Sequence, residues 1–264
     1  MSDAPGQGIG VLVWNSADPG GPMTLATRVP GATEPTRQPD TVCLLGGPYV
    51  RSGDRRLDLP EGSKRLLVFV ALRGRVDRPR AAAVLWPDSG EERAAGNLRS
   101  ALWRMKSAGI FVLTADKSTL GLVPGTEVDA VAWCGWAGRL VTGKPGPADL
   151  EATPPAEAFD LLPGWYDDWA VFERERVRQR LLHALEALSR QLVRAGRRAE
   201  AVEAAMTAVG VDPLRESAQR VLVEAHLAEG NLAEARRCVR RYHSLVRAEL
   251  GVDPSEGFLT MAND

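Results

Sequence analysis

One stretch of the sequence combines cationic, amide and hydroxyl side chains at a spacing that could bind nucleic acid. In a predicted helix that follows Ser89 and ends near residue 108, one face displays Arg93, Ser100 and Arg104, and its flanks carry Asn97 and Arg99. Guanidinium, amide and hydroxyl groups can donate to or accept from base edges in the major groove of DNA. Gly96 lies among them and would permit close approach to DNA, because it has no side chain. These residues therefore predict a surface that reads DNA bases.

The other side of the same helix is apolar. Leu98, Ala101, Leu102 and Met105 recur at helical spacing and would pack on neighbouring helices, whereas Trp103 lies on the polar side. An ordinary amphipathic helix with a solvated polar face has the same pattern, and periodicity alone favours that simpler interpretation. The residue types by themselves therefore leave both interpretations open.

Before this helix, the pattern predicts a small sheet and two further helices. Short apolar runs within residues 42–59, separated by Gly and Asp turns, indicate an antiparallel meander. A helix over residues 64–73 has Ser63 as its expected N-cap, and a helix over 78–86 has Asp77. We expect these elements to support the polar helix.

The polar helix has its own start signal, and a hairpin follows it. Ser89 and Glu92 are spaced as a capping box. Residues 110–114 and 119–123 read as two strands joined by a four-residue turn that contains Lys117. The order of meander, three helices and hairpin is typical of a winged helix.

Charge is distributed unevenly along the chain. Residues 41–125 hold 14 Lys/Arg against 8 Asp/Glu, whereas residues 126–264 hold 17 against 22. A basic segment suits nucleic acid, since cations that neutralise phosphates release condensed counterions. Five basic residues at predicted helix ends and at the hairpin turn are expected to contact the DNA backbone. They are Lys64, Arg78, Arg80, Lys106 and Lys117.

Residues 126–264 are predicted to be predominantly helical and to contain a repeat. The sequence AGRRAEA at 195–201 aligns with EGNLAEA at 229–235, an offset of 34 residues. A period of about 34 residues with a glycine turn before a helix start is typical of tetratricopeptide repeats, whose stacked helix pairs bind peptides or proteins. We therefore expect this segment to contact protein partners.

Several classes of function are disfavoured by the sequence. It contains no nucleotide-binding, metalloprotease or serine-hydrolase motif, and its cysteines and histidines lack the spacing of a metal or catalytic site. We expect no enzyme, no cofactor and no bound metal. No apolar window is long enough to span a membrane and no secretory signal is apparent, so a cytoplasmic location without membrane contact is expected. Residues 1–40, with 6 Gly and 6 Pro, are expected to be mostly disordered.

Five motifs give the sequence a specific resemblance. They are VLWPD at 84–88, NLRSALWRM at 97–105, LLPGWYDDW at 161–169, FERER at 172–176 and ELGVDP at 249–254. Together they make residues 41–257 resemble the Streptomyces antibiotic regulatory protein family. Its members join an OmpR-type winged helix to a bacterial transcriptional activator domain.

The resemblance implies a fold class that is mainly α with small β: a winged helix over 41–125, then an all-α, tetratricopeptide-like domain over 126–264. It also implies a recognition helix at 91–107, a wing around Lys117, and an activator of secondary-metabolite genes such as those of antibiotic biosynthesis. Such activators bind direct repeats in double-stranded DNA head to tail, as dimers on DNA, and recruit RNA polymerase. The residues before position 41 lie outside the family pattern. No ATPase or sensor domain follows, so we expect the small form of the family.

A different class of function fits the same elements. The chain could be a tetratricopeptide scaffold whose winged helix docks on proteins and has no affinity for DNA. Arg93, Asn97, Arg99 and Arg104 on one accessible side argue for the DNA-binding interpretation, and a gel shift with promoter fragments would separate the two.

Overall fold

A small sheet opens the part of the chain that the structure, a computed structural model, describes: residues 39–262. Three strands form the predicted antiparallel meander: β1 (Thr41–Cys43), β2 (Tyr49–Ser52) and β3 (Arg55–Asp58). Val42 pairs with Val50, and Val50 pairs with Leu57. Both valines are buried, so this register turns one face of the sheet into the interior. The extension expected to be disordered lies outside the described residues, apart from residues 39 and 40.

Three helices follow the sheet, as the sequence predicts. They are α1 (Glu61–Arg73), α2 (Arg78–Leu85) and α3 (Glu91–Ser107), and the short strand β4 (Val76–Asp77) precedes α2. Asp77 occupies the predicted N-cap position of α2, although its side chain makes no capping hydrogen bond.

Two predicted caps are wrong. Ser63 lies inside the first turn of α1, where its buried hydroxyl donates to the carbonyl of Ala101 at 2.8 Å. Gly90 takes the N-cap position of α3 in place of Ser89, because Ala94 N–H donates to the Gly90 carbonyl at 2.9 Å. Ser89 belongs to the turn that precedes α3, and its N–H donates to the Trp86 carbonyl.

The predicted hairpin forms the second small sheet. β5 (Leu113–Ala115) and β6 (Thr119–Leu122) pair antiparallel, and β4 pairs with the other edge of β6. A further strand, β7 (Glu127–Val128), returns to the first sheet and runs parallel to β1. The chain therefore completes its N-terminal sheet with residues that come after the hairpin.

The remaining described elements are helices. They are α4 (Asp129–Val141), α5 (Asp168–Arg194), α6 (Arg198–Val211), α7 (Glu216–Glu229), α8 (Leu232–Leu250) and the short α9 (Glu256–Leu259). Two short 3-10 turns, Pro147–Leu150 and Ala156–Phe159, lie between α4 and α5. No helix in the described range is long and apolar enough to cross a membrane.

The predicted repeat coincides with two equivalent helix starts. α6 and α8 begin at Arg198 and Leu232, and each follows a glycine with positive φ, 78° at Gly196 and 84° at Gly230. Left-handed backbone of this kind favours glycine, because a Cβ would clash there. Both copies of the predicted repeat thus consist of a glycine turn followed by a helix. That they belong to the tetratricopeptide class stays a prediction.

Helix α1 lies between two apolar cores. Its residues Leu66, Phe69 and Val70 pack with α2 and α3 in a small core that includes Ala81, Leu85, Ala94, Leu98 and Ala101. Its residues Leu67, Val68 and Ala71 belong to a larger core that includes Val42 and Leu44 of the sheet and buried residues of α4 and α5. The fold class, a winged helix followed by an all-helical region, is therefore confirmed. The domain boundary at 125/126 stays a prediction.

Candidate nucleic-acid interface

Contacts with α1 and α2 hold α3 in place. Leu98 and Ala101 are fully buried in the small core, and the Ser63 hydroxyl binds the Ala101 carbonyl from α1. Met105, one turn further on, enters the larger core. Because one stripe of α3 is fixed in this way, the opposite side must face outwards.

The predicted base-contacting residues differ in their exposure and in their contacts with the rest of the protein. Arg93, Arg99 and Ser100 are exposed, whereas Asn97 is half-buried on the flank of the helix. Arg104 is also half-buried, and its Nη2 donates to the Gly62 carbonyl at 3.2 Å. The Arg104 guanidinium also fills the space that a Cβ on Gly62 would need, since its Nη2 would lie 2.8 Å from that atom. All five predicted base-contacting residues therefore lie on α3, and Arg104 is hydrogen-bonded to α1.

None of the four cations on α3 makes an ion pair with any residue in the described range, and Arg104 alone donates to a backbone carbonyl. The other three, Arg93, Arg99 and Lys106, are exposed. An unpaired cation on a rigid helix can neutralise a phosphate without first breaking an internal contact, so it loses nothing on binding DNA. The outward side of α3 therefore has the electrostatic character of a nucleic-acid surface.

The predicted backbone-contacting residues occupy three places. Lys64 lies on α1 and is 2.5 Å from Glu61 Oε2. Arg78 begins α2 and donates through Nη1 to the Asp116 carbonyl at 2.7 Å, while Arg80 on the same helix is exposed. Lys106 ends α3, and Lys117 is exposed at the tip of the hairpin. The structure keeps Arg78, Arg80 and Lys117 in one region, because α2 begins beside the hairpin turn.

Asp116 organises the hairpin turn, and sequence reasoning did not single it out. Its carboxylate accepts from Ser118 N–H at 2.8 Å, from Thr119 N–H at 2.6 Å and from the Thr119 hydroxyl at 2.7 Å. Arg75 Nη2 adds a fourth donor at 3.2 Å. The Thr119 and Ser118 donors hold the pKa of Asp116 below its usual range. An Asp followed by Ser and Thr in a short turn is the signal that could have found it.

A cleft of about 560 Å³ separates the hairpin side of the winged helix from the start of α5. Its walls are aromatic, aliphatic and basic: Phe69, Arg73, Arg75, Val76, Asp77, Arg80, Val84, Thr119 and Trp169. Phe69 and Trp169 meet edge to face at 6.4 Å. Beside the cleft, the buried carboxylate of Glu173 pairs with Arg73 at 3.2 Å and Arg176 at 2.6 Å. Residues of α1 and α5 thus meet through both apolar and ionic contacts.

Two adjacent acidic residues at the start of α5 have a structural role. Asp167 is the N-cap residue of α5 and pairs with Arg65 of α1, and Asp168 opens the helix. Negative charges at a helix N-terminus are favourable. Within residues 39–262 no cluster of three or more His, Cys, Asp or Glu side chains could hold a metal ion.

Comparison with known proteins gives a domain match and a similarity to a solved structure. Residues 152–263 match the family model described as bacterial transcriptional activator domain, so the chain carries a domain of this type. No curated protein matches the sequence. The fold is similar to that of Mycobacterium tuberculosis EmbR in complex with a low-affinity phosphopeptide, with a TM-score of 0.61 and 17% identity. The match covers 86% of this chain and 64% of that chain.

Proposed function

We propose that this protein is a sequence-specific DNA-binding transcriptional activator. Helix α3 reads bases in the major groove, and the hairpin β5–β6 acts as a wing on the DNA backbone. The observation that carries the proposal is the outward side of α3, where Arg93, Arg99 and Lys106 are exposed without ionic partners. The activator-domain match at residues 152–263 supports the transcriptional half of the proposal.

In the proposed mode of action, the two parts of the chain do different work. Base contacts come from Arg93, Asn97, Arg99, Ser100 and Arg104 on α3. Backbone contacts come from Lys64, Arg78, Arg80, Lys106 and Lys117. The helical region, which is acidic overall, contacts RNA polymerase and the neighbouring protomer when dimers occupy direct repeats. Genes of secondary metabolism are the proposed targets, in keeping with the family resemblance.

The test is selection of duplexes from a random DNA library with the full chain, followed by footprinting on promoter fragments. We expect an enriched sequence and a footprint on it. A variant with Arg93, Arg99 and Lys106 all changed to Ala should lose both. The matched control replaces three exposed arginines of the helical region, Arg194, Arg240 and Arg241, and should keep the footprint.

A reporter assay on the selected sequence tests activation. DNA binding without activation would remove the transcriptional half of the proposal. Absence of any enriched sequence, with both variants folded, would instead favour a protein scaffold whose winged helix does not bind DNA.

A further inference from the structure

Trp103 is an exposed aromatic residue at the centre of the outward side of α3. The side chain is 68% exposed, and it lies on the side opposite the buried Leu98 and Met105. It makes no aromatic or cation–π contact with any residue of the described range. The ring therefore takes no part in the aromatic contacts that the described residues make with one another.

The other tryptophans in the described range are placed differently. Trp133 and Trp136 meet edge to face at 5.4 Å, and Trp165 and Trp169 meet at 6.0 Å. Trp86 packs against the small core. Phe111 and Phe172 are about as exposed as Trp103, so exposure alone does not distinguish this residue. Its position on the outward side of α3, beside exposed cations, does.

The neighbours of Trp103 restrict what it can contact. Arg99 and Ser100 precede it by one helical turn and are exposed on the same side, and Lys106 follows on the flank. Cations at this density repel a second copy of the same surface and attract phosphates. The ring is thus an apolar group within a surface that suits DNA.

We propose that Trp103 is a specificity-determining residue whose indole ring contacts the C5-methyl group of thymine in the major groove. Thymine is the base that presents an apolar group there, because the other major-groove features of the bases are hydrogen-bond donors and acceptors. An exposed indole ring gains by covering that methyl, since both surfaces leave water. The proposal rests on the proposed function, and it adds a base preference that the polar residues of α3 do not supply.

The experiment starts from the duplex that the full chain selects from a random library. Each thymine in turn is replaced by deoxyuridine, which lacks the C5-methyl group and keeps the same hydrogen-bonding edge. We expect wild type to lose about fourfold in affinity at one or two positions, which corresponds to ~0.8 kcal/mol for one buried methyl at ~1.36 kcal/mol per factor of ten. Trp103→Ala should bind the thymine and deoxyuridine duplexes equally, and Trp103→Phe should retain part of the discrimination.

Phe172→Ala is the matched control, because Phe172 is an aromatic residue of α5 that is 67% exposed. It should discriminate between the duplexes as wild type does. Thermal unfolding should be unchanged in Trp103→Ala, and Trp103→Gln provides a second variant if the alanine protein is unstable.

The outcomes separate this inference from the proposed function. An enriched sequence with no deoxyuridine effect in wild type overturns the role of Trp103 and leaves DNA binding intact. A deoxyuridine effect that persists in Trp103→Ala and in Trp103→Gln overturns it equally. Failure to select any sequence removes the proposed function itself, and this inference with it.

Discussion

Helices α3 and α5 are both long, amphipathic and rich in arginine, and they differ in how many of their cations form ion pairs. On α5, Arg176 pairs with Glu173, Arg178 with Asp212 at 3.4 Å and Arg190 with Glu224 at 3.1 Å. On α3, Arg93 and Arg99 have no ionic partner among the residues that the structure describes. Four of the six arginines of α5 are therefore held in ion pairs, whereas Arg180 and Arg194 on that helix are exposed without one in the part of the chain that the structure describes.

The difference shows that helical periodicity and arginine content do not by themselves identify a DNA-reading helix. Exposed ion pairs contribute about 0–1 kcal/mol, so most pairs of α5 do little for stability, but they do remove cations from use by a ligand. Cations without partners gain from releasing the counterions of DNA. The fraction of cations held in ion pairs, which only the fold provides, is what differs between the two helices.

The largest expected effect comes from Glu173, the buried carboxylate at the start of α5. Changing both Arg73 and Arg176 to Ala leaves this charge without its cations, which should lower the free energy of unfolding by about 3–5 kcal/mol. Urea unfolding measures the loss. The matched control on α3 changes Arg93 and Arg99 to Ala and should leave stability within about 0.5 kcal/mol. Equal losses of unfolding free energy in the two double variants would show that the arginines at Glu173 are no more important for stability than the unpaired arginines of α3.

Arg104 is intermediate between a cation held by contacts within the protein and a free one, because it lies on α3 and donates to a carbonyl of α1. Replacement by Ala should reduce specific DNA affinity by about 1–3 kcal/mol and relax preference at one base position. Library selection with the variant provides the measurement. A large drop in melting temperature with an unchanged base preference would instead assign Arg104 to positioning α1 through Gly62.

Lys117 should have a smaller effect that is independent of sequence. If the hairpin is a wing on the DNA backbone, Lys117→Ala should weaken binding to all duplexes and reduce the salt slope by roughly one. Lys144 is an exposed lysine in the turn after α4 and supplies the control, since its replacement should change neither quantity. An unchanged salt slope in Lys117→Ala would remove the hairpin from the DNA interface.

The smallest effect concerns the pH dependence of the hairpin turn. The folded-state pKa of Asp116 is lowered by its Thr119 and Ser118 donors, so the stabilisation is present above the unfolded-state pKa and is lost as pH falls through the folded one. We expect the Asp116 carboxylate to remain charged at about pH 3, below the ordinary aspartate pKa of roughly 3.9. Carboxyl NMR titration measures this, and an ordinary pKa would contradict the hydrogen-bonded turn.

Much of the fold could be predicted from the sequence because its signals are local. The existence of α3 and the burial of Leu98 and Ala101 follow from helical periodicity, whereas its first residue does not. The actual role of Ser63 could not be predicted from local pattern, because its hydroxyl donates to a carbonyl of α3 and does not cap α1. Strand β7 has two residues, too few for any alternating pattern to appear.

The sequence predicts which residue types form the candidate site, but it predicts their contacts less well. Arg93, Arg99 and Ser100 are exposed on the side that periodicity assigns to them. The contact of Arg104 with Gly62 depends on how α1 crosses α3, which no local pattern contains. Asp116 was missed because its role lies in bonds within the turn rather than in any ligand chemistry.

The return of β7 to β1 limits how this protein could be recombined with another regulator. Val42 pairs with Val128, and the carboxylate of Asp129 accepts from the N–H groups of Leu44 and Leu45 at 2.9 Å and 3.2 Å. A graft cut at the predicted boundary after Gly125 would leave the first sheet without that edge and those acceptors. A DNA-binding fragment of this chain should therefore extend beyond Asp129, and a hybrid protein joined at residue 125 should have a destabilised first sheet.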